Sequence, residues 1–293
     1  MKKRGLPSPR FFCCLSRHCA PREARFIAGR MIIHSDEYAD LPTPHGPMRT
    51  FVFRPAAEGR YPGLLLFSEI FQVTGPIRRT AALLAGHGFV VAVPEIYHEY
   101  LPAGTALAYD QAGADEGNRL KTTKTLESYD ADARAVLDFL AAHEACTGAL
   151  GVVGICIGGH LSFRAAAKNP DVRAAACYYA TDIHKQGLGA GMNDDTLASI
   201  AATKAELLMI WGRQDPHIPL EGRRKVQAHL DETGVTYTWH ELNGQHAFIR
   251  DEGARYDAEL AQTVFHLTLS LFHRRLHQGG LAEASTSSKE TRH

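Results

Sequence analysis

The segment that most constrains this chain runs Ala149-Leu150-Gly151-Val152-Val153-Gly154-Ile155-Cys156-Ile157-Gly158-Gly159-His160, an apolar strand that breaks into glycines around one cysteine and then turns helical. This is the pattern of a nucleophile elbow. In such an elbow a sharp, strained strand-to-helix turn lifts one side chain above the sheet edge, and flanking glycines let neighbouring backbone pass without a Cβ clash. Cys156 stands where many elbows hold a serine. The competing reading is a buried structural cysteine at a glycine-rich strand end, since most free cysteines are buried and inert.

Two partners would distinguish these readings, because folds built on this elbow carry nucleophile, acid and histidine in that order along the chain. Asp215 follows the apolar run Leu207-Leu208-Met209-Ile210-Trp211 and a Gly-containing turn, which puts a carboxylate at a strand's carboxyl end. His246 lies in Gly244-Gln245-His246-Ala247-Phe248, after an alternating strand and before a long helix. An Asp can fix the imidazole's tautomer while the imidazole takes the thiol proton and returns it to a leaving group. Each also has a plainer reading: Asp before Pro is a common turn residue, and most of the sixteen histidines must be ordinary packing or surface residues. Together, three residues in the right order at predicted strand ends point to a Cys156, His246, Asp215 triad, because open α/β sheets bind ligands at the carboxyl ends of their strands.

With these motifs, and with Ser68-Glu69-Ile70-Phe71 and Pro94-Glu95-Ile96-Tyr97, the chain resembles the dienelactone hydrolase family over roughly Phe51 to Leu276. The resemblance implies a single α/β-hydrolase domain, a Cys-His-Asp triad, an acyl-enzyme and no cofactor or metal. It implies that Glu69 is a fourth catalytic residue, contacting the resting cysteine and helping to generate the thiolate when substrate binds. It also implies an oxyanion hole from the backbone N–H groups of Ile157 and Ile70, each such donor contributing about 2.7–4 kcal/mol of transition-state stabilisation. The implied substrate pocket includes Tyr97, Glu99, Phe248 and Arg250. Family members that open dienelactone hold its carboxylate with two arginines. Arg250 matches the second, whereas the first falls at Glu99, whose charge would repel an anion; the lost charge-assisted contact alone removes roughly 1.5–3 kcal/mol. The serine that follows the histidine in those enzymes is Ala247 here. The expected reaction is therefore hydrolysis of a lactone or carboxylic ester whose identity the motifs leave open, with Arg250 meeting a substrate carboxylate or pairing internally, for instance with Glu99.

The rest of the chain fits one mainly parallel sheet covered on both faces. Apolar strands are expected near Gly63–Phe67, Phe89–Val93, Ala149–Val153, Ala174–Tyr179, Glu206–Trp211 and Val235–His240. Helical spacing separates them at Pro76–Gly86, Glu127–His143, His160–Lys168, Gly222–Thr233 and Ala254–Leu276. Any central boundary would cut the proposed site, so residues 31–276 read as one domain. The stretch Tyr100 to Lys121 shows little periodicity and is expected to cover the pocket, either as a lid or as a disordered loop. Residues 1–30 are arginine-rich, carry Cys13, Cys14 and Cys19, and lack the apolar core of a secretory signal. They read as a disordered basic leader or, preferentially, as the product of an upstream start with Met31 as the biological one. No second Cys or His pair follows at zinc-finger spacing. Residues 277–293 have the composition of a disordered tail.

Thirty-two basic residues balance thirty-two acidic ones, so net charge favours neither nucleic acid nor an anionic membrane as partner. No apolar run approaches the roughly 18 residues of a membrane span. With no secretory signal, a cytoplasmic setting without disulfides is expected, and Cys146 and Cys177 read as buried free thiols. The glycine spacing does not match G-x-G-x-x-G, and H-E-x-x-H is absent. Two other functions remain open: a catalytically silent, hydrolase-like protein that binds a small carbonyl compound, favoured by Glu99, and a thiol redox role for Cys156.

Overall fold

The computed structural model describes residues 32–277. The leader of residues 1–30 and all but the first residue of the tail lie outside them. An eight-stranded sheet runs in the order β1-β2-β4-β3-β5-β6-β7-β8. Its strands are β1 (Ile33–Thr43), β2 (Gly46–Pro55), β3 (Tyr61–Phe67), β4 (Val90–Pro94), β5 (Cys146–Ile155), β6 (Val172–Tyr178), β7 (Glu206–Gly212) and β8 (Tyr237–Leu242). The pairs β1/β2 and β2/β4 are antiparallel and all others parallel. β3 to β7 are buried almost throughout, which is why they read as unbroken apolar runs.

Among the described residues the α-helices are α1 (Gly75–Gly86), α2 (Gln111–Thr123), α3 (Leu126–Ala142), α4 (Ile157–Lys168), the short α5 (Thr196–Ser199), α6 (Leu220–Thr233) and α7 (Ala258–Leu276). The crossover through α1 moves leftward in the sheet, from β3 to β4, whereas those through α3, α4 and α6 move rightward. Parallel crossovers are right-handed, so opposite directions put these helices on opposite faces. The direction reverses between β3 and β5, and a crevice opens beyond the carboxyl ends of the strands at such a switch point.

Two elements depart from expectation. The hairpin β1–β2 escapes an apolar reading because β1 alternates between half-buried and exposed positions at the sheet edge. The segment Tyr100 to Lys121, expected to be aperiodic, contains most of α2. Its N-terminus is capped by Asp110, which accepts from the Gly113 N–H at 2.8 Å. The buried face of α2 is made of Gly113, Gly117 and Leu120. A Cβ on Gly117 would stand 2.6 Å from the Ile70 carbonyl oxygen, so backbone contact replaces the side-chain stripe that periodicity detects.

Candidate active site

The sheet register brings the candidate residues to one edge. Phe67, Gly154, Cys177, Met209 and Trp239 lie in one row across β3, β5, β6, β7 and β8. Glu69 and Cys156 each stand two residues beyond that row, on the neighbouring strands of the switch point. Cys156 adopts φ 62, ψ −119 between β5 and α4. For a residue with a side chain this left-handed region costs on the order of 1–3 kcal/mol and persists only where the surroundings enforce it. They do so here by close approach: a Cβ on Gly154 would fall 1.9 Å from the Gly158 carbonyl oxygen, and one on Gly158 would fall 2.4 Å from that of Phe67. The turn makes Ile157 the first residue of α4, where a backbone N–H has no intrahelical acceptor.

Asp215 and His246 sit on the loops after β7 and β8, which are tied together. The Arg213 N–H donates to Leu242 O at 2.7 Å and the Gln214 N–H to Gly244 O at 3.0 Å. The imidazole Nδ1 of His246 lies 2.6 Å from Asp215 Oδ2, while Asp215 Oδ1 accepts from the His217 N–H at 2.8 Å. Cys156 lines the same cavity as the imidazole and lies close enough to influence its charge. Burial works against a charge on His246, but the negative charge Cys156 takes on when it gives up its proton, and the hydrogen bond to Asp215, outweigh it. Together they push the imidazolium pKa up to about 10. Tyr179 packs edge-on against His246 at 5.0 Å and Phe248 against Tyr179 at 5.4 Å, so the imidazole is walled in by aromatic rings.

A cavity of about 880 Å³ opens over these groups, lined by Cys156, His246, Glu69, Ile70 and Arg250 among others. Both oxygens of the buried Glu69 carboxylate are engaged: Tyr109 O–H donates to Oε2 at 3.0 Å, and Arg250 Nη1 stands 3.6 Å from Oε1. Burial pushes the Glu69 pKa upward, against the opposing influence of Arg250, Tyr109 and His246. The guanidinium of Arg250 also stacks over the Tyr109 ring at 4.2 Å.

Three expected pocket residues lie elsewhere. Tyr97 is fully buried and donates its hydroxyl to Gly117 O at 3.1 Å, which anchors α2. Phe248 is fully buried behind Tyr179. Glu99 turns away from the cavity and accepts hydrogen bonds from Lys124 and Ser128. The pairing with Arg250 that the sequence left open and the expected repulsion of an anionic substrate both fall away, because the buried Lys124 ammonium satisfies Glu99 and also reaches Asp132 Oδ2 at 2.8 Å. His98, Glu99 and Asp132 cluster closely enough to suggest a cation site, but Glu99 and Asp132 hold the Lys124 ammonium and His98 Nε2 lies 3.1 Å from Asp132 Oδ1.

Sequence reasoning missed Tyr109, His217, Lys121 and Lys185 in the cavity wall. Tyr109 and Lys121 belong to the segment without periodicity. His217, edge-on to His246 at 4.7 Å, follows Asp215 by two residues, but nothing in its spacing separates it from the other histidines.

A model of the dienelactone hydrolase family matches residues 48–276. A relative from Saccharomyces cerevisiae, named "Putative carboxymethylenebutenolidase", is 38% identical over 254 residues, covering 83% of this chain and 92% of its own. The carboxymethylenebutenolidase of Pseudomonas putida is 28% identical over 207 residues, covering 70% of this chain and 82% of its own. The crystal structure of a Klebsiella pneumoniae "Putative Dienelactone Hydrolase" superposes with a TM-score of 0.70 at 23% identity, covering 82% of this chain and 98% of its own. The fold is the α/β-hydrolase fold, and the protein is a hydrolase acting on ester or lactone bonds. Within that class the chain belongs to the dienelactone hydrolase family. Among the described residues, no helix is long and apolar enough to cross a membrane.

Proposed function

We propose that the protein hydrolyses a lactone or carboxylic ester through an acyl-enzyme on Cys156, with His246 as acid and base and Asp215 orienting it. The observation that carries this reading is the buried imidazole between a carboxylate 2.6 Å away and the elbow cysteine, inside a cavity large enough for substrate. The Cys156 thiolate attacks the carbonyl carbon. The carbonyl oxygen gathers charge facing the Ile157 and Ile70 N–H groups. As the tetrahedral intermediate collapses, the carbon–oxygen bond to the leaving group breaks and imidazolium protonates the departing oxygen. Neutral His246 then takes a proton from water as the water attacks the thioester, and the acid product leaves with the thiolate restored. Arg250 meets the substrate's anionic group, which frees Glu69 to take up its part beside Cys156.

The test is hydrolysis of dienelactone and of 4-nitrophenyl acetate by the purified protein, with Cys156→Ala and His246→Ala in parallel. Cys156→Ala is expected to abolish turnover, and His246→Ala to lower kcat about 10²–10⁴-fold. Acid-quenched samples should show a mass increase equal to one acyl group on Cys156. Turnover that survives in Cys156→Ala would overturn the reading.

A further inference from the structure

The cavity is larger and more basic than one lactone ring with one carboxylate requires. At about 880 Å³ it lies near the upper end of the ~300–1,000 Å³ range of sites for drug-sized ligands. Its wall carries four basic side chains, Lys121, Lys185, Arg250 and Arg255, and three carboxylates, Glu69, Asp182 and Glu252. Glu252 also meets Arg79, 2.7 Å away outside the wall, but Asp251 shares that guanidinium. Three carboxylates face four cations.

The cations stand on separate walls. Arg250 pairs with Glu69, on the β3 side of Cys156. Lys121 Nζ donates to Asp182 Oδ2 at 2.7 Å, and Lys185 Nζ lies 3.5 Å from Asp182 Oδ1. Asp182 directly follows Thr181, whose N–H donates to the Cys156 carbonyl at 3.3 Å, so this second cluster is tied to the β6 side of the elbow. One carboxylate shared by two ammonium groups leaves an uncompensated positive charge there. Asp182 holds Lys121 in place, while the Lys185 side chain is more than half exposed and can swing onto a ligand.

Resting on the hydrolase reading above and extending it, we infer that the preferred substrate is an ester or lactone bearing two anionic groups, one received by Arg250 and the other by Lys121 and Lys185. Net charge and two separated cationic walls select such a molecule over a neutral ester of equal size, because each unmet anion would lose a charge-assisted hydrogen bond.

The test is calorimetric titration of the purified full chain with α,ω-dicarboxylates from succinate to suberate, each against the monocarboxylate of equal carbon number. One chain length is expected to bind at least 10-fold more tightly than its monocarboxylate, and Lys185→Glu should remove that factor. Arg250→Gln should remove it as well, from the other end. Lys121→Met/Asp182→Asn, which deletes the ion pair as a unit, serves as a second variant in which no buried carboxylate is stranded. Equal affinity for the paired acids at every length, or a preference that Lys185→Glu leaves unchanged, would overturn the inference. Cys156-dependent hydrolysis measured on the same samples separates the two readings. Dianion selectivity without turnover would sink the hydrolase mechanism and leave the second anion subsite standing.

Discussion

At the scale of single residues, burial makes the contribution of Glu69 to stability depend on pH. A carboxyl whose pKa is higher in the folded than in the unfolded chain contributes stability that is complete below its unfolded value, 4.5, and lost as pH rises. Glu69→Gln is therefore expected to gain in Tm relative to the parent as pH is raised from about 4 to about 8. Thermal melts of both proteins across that range measure the difference, and a constant offset would show that burial does not hold Glu69 against ionisation. Cys156 stores cost in another form, as left-handed backbone, and Ala247 beside His246 does the same at φ 63. Both strained positions adjoin the hydrogen-bonded His246 and Asp215.

At the scale of elements, α2 and its junction with α3 decide the shape of the cavity. The buried Lys124 at that junction ties it to the loop after β4 through Glu99, and to α3 through Asp132. Burial alone would raise the Glu99 pKa, but hydrogen bonds from Lys124 and Ser128 hold it below its usual range. Removing the ammonium by Lys124→Met would strand two carboxylates, one of them deeply buried, and is expected to cost about 3–5 kcal/mol. Urea unfolding would measure it, and Glu99→Gln added to Lys124→Met should recover part of the loss. An unchanged urea midpoint would mean that the network carries no net charge coupling. Here the sequence was hardest to read. Two glycines and Leu120, not a full apolar stripe, pack α2, so the segment looks like a loop, and Glu99 looks like a pocket residue because its partner Lys124 is 25 positions away.

Across the whole molecule, carboxylates held below their ordinary range make the fold acid-sensitive. Burial would raise the Asp194 pKa, yet hydrogen bonds from His160, Thr196 and Leu188 and the charge of His160 bring it well below the carboxylate range. His160 Nδ1 also reaches Thr181 O at 2.8 Å, which links this pair to the elbow. Such a carboxylate contributes stability that is present above its unfolded pKa, 3.8, and lost as pH falls. Asp194→Asn should lower Tm at pH 7, and the gap to the parent should close as pH drops below about 3.8. A gap as wide at pH 3 as at pH 7 would place its cause in packing and not in charge.

Strand and helix positions were largely legible because central parallel strands are continuous apolar runs and most helices keep a 3.6-residue stripe. The elbow was legible because its glycines are dictated by local clashes, and those around Cys156 are visible as letters. The candidates Asp215 and His246 were readable as strand-end residues in the order that the elbow requires. What sequence could not supply is distance between elements: which carboxylate meets Arg250, where Glu99 turns, and that Lys121 and Lys185 share Asp182. Those pairings are set by register across the sheet and by the reversal of strand order between β3 and β5. They depend on the packing of segments far apart in the chain, and no local pattern encodes them.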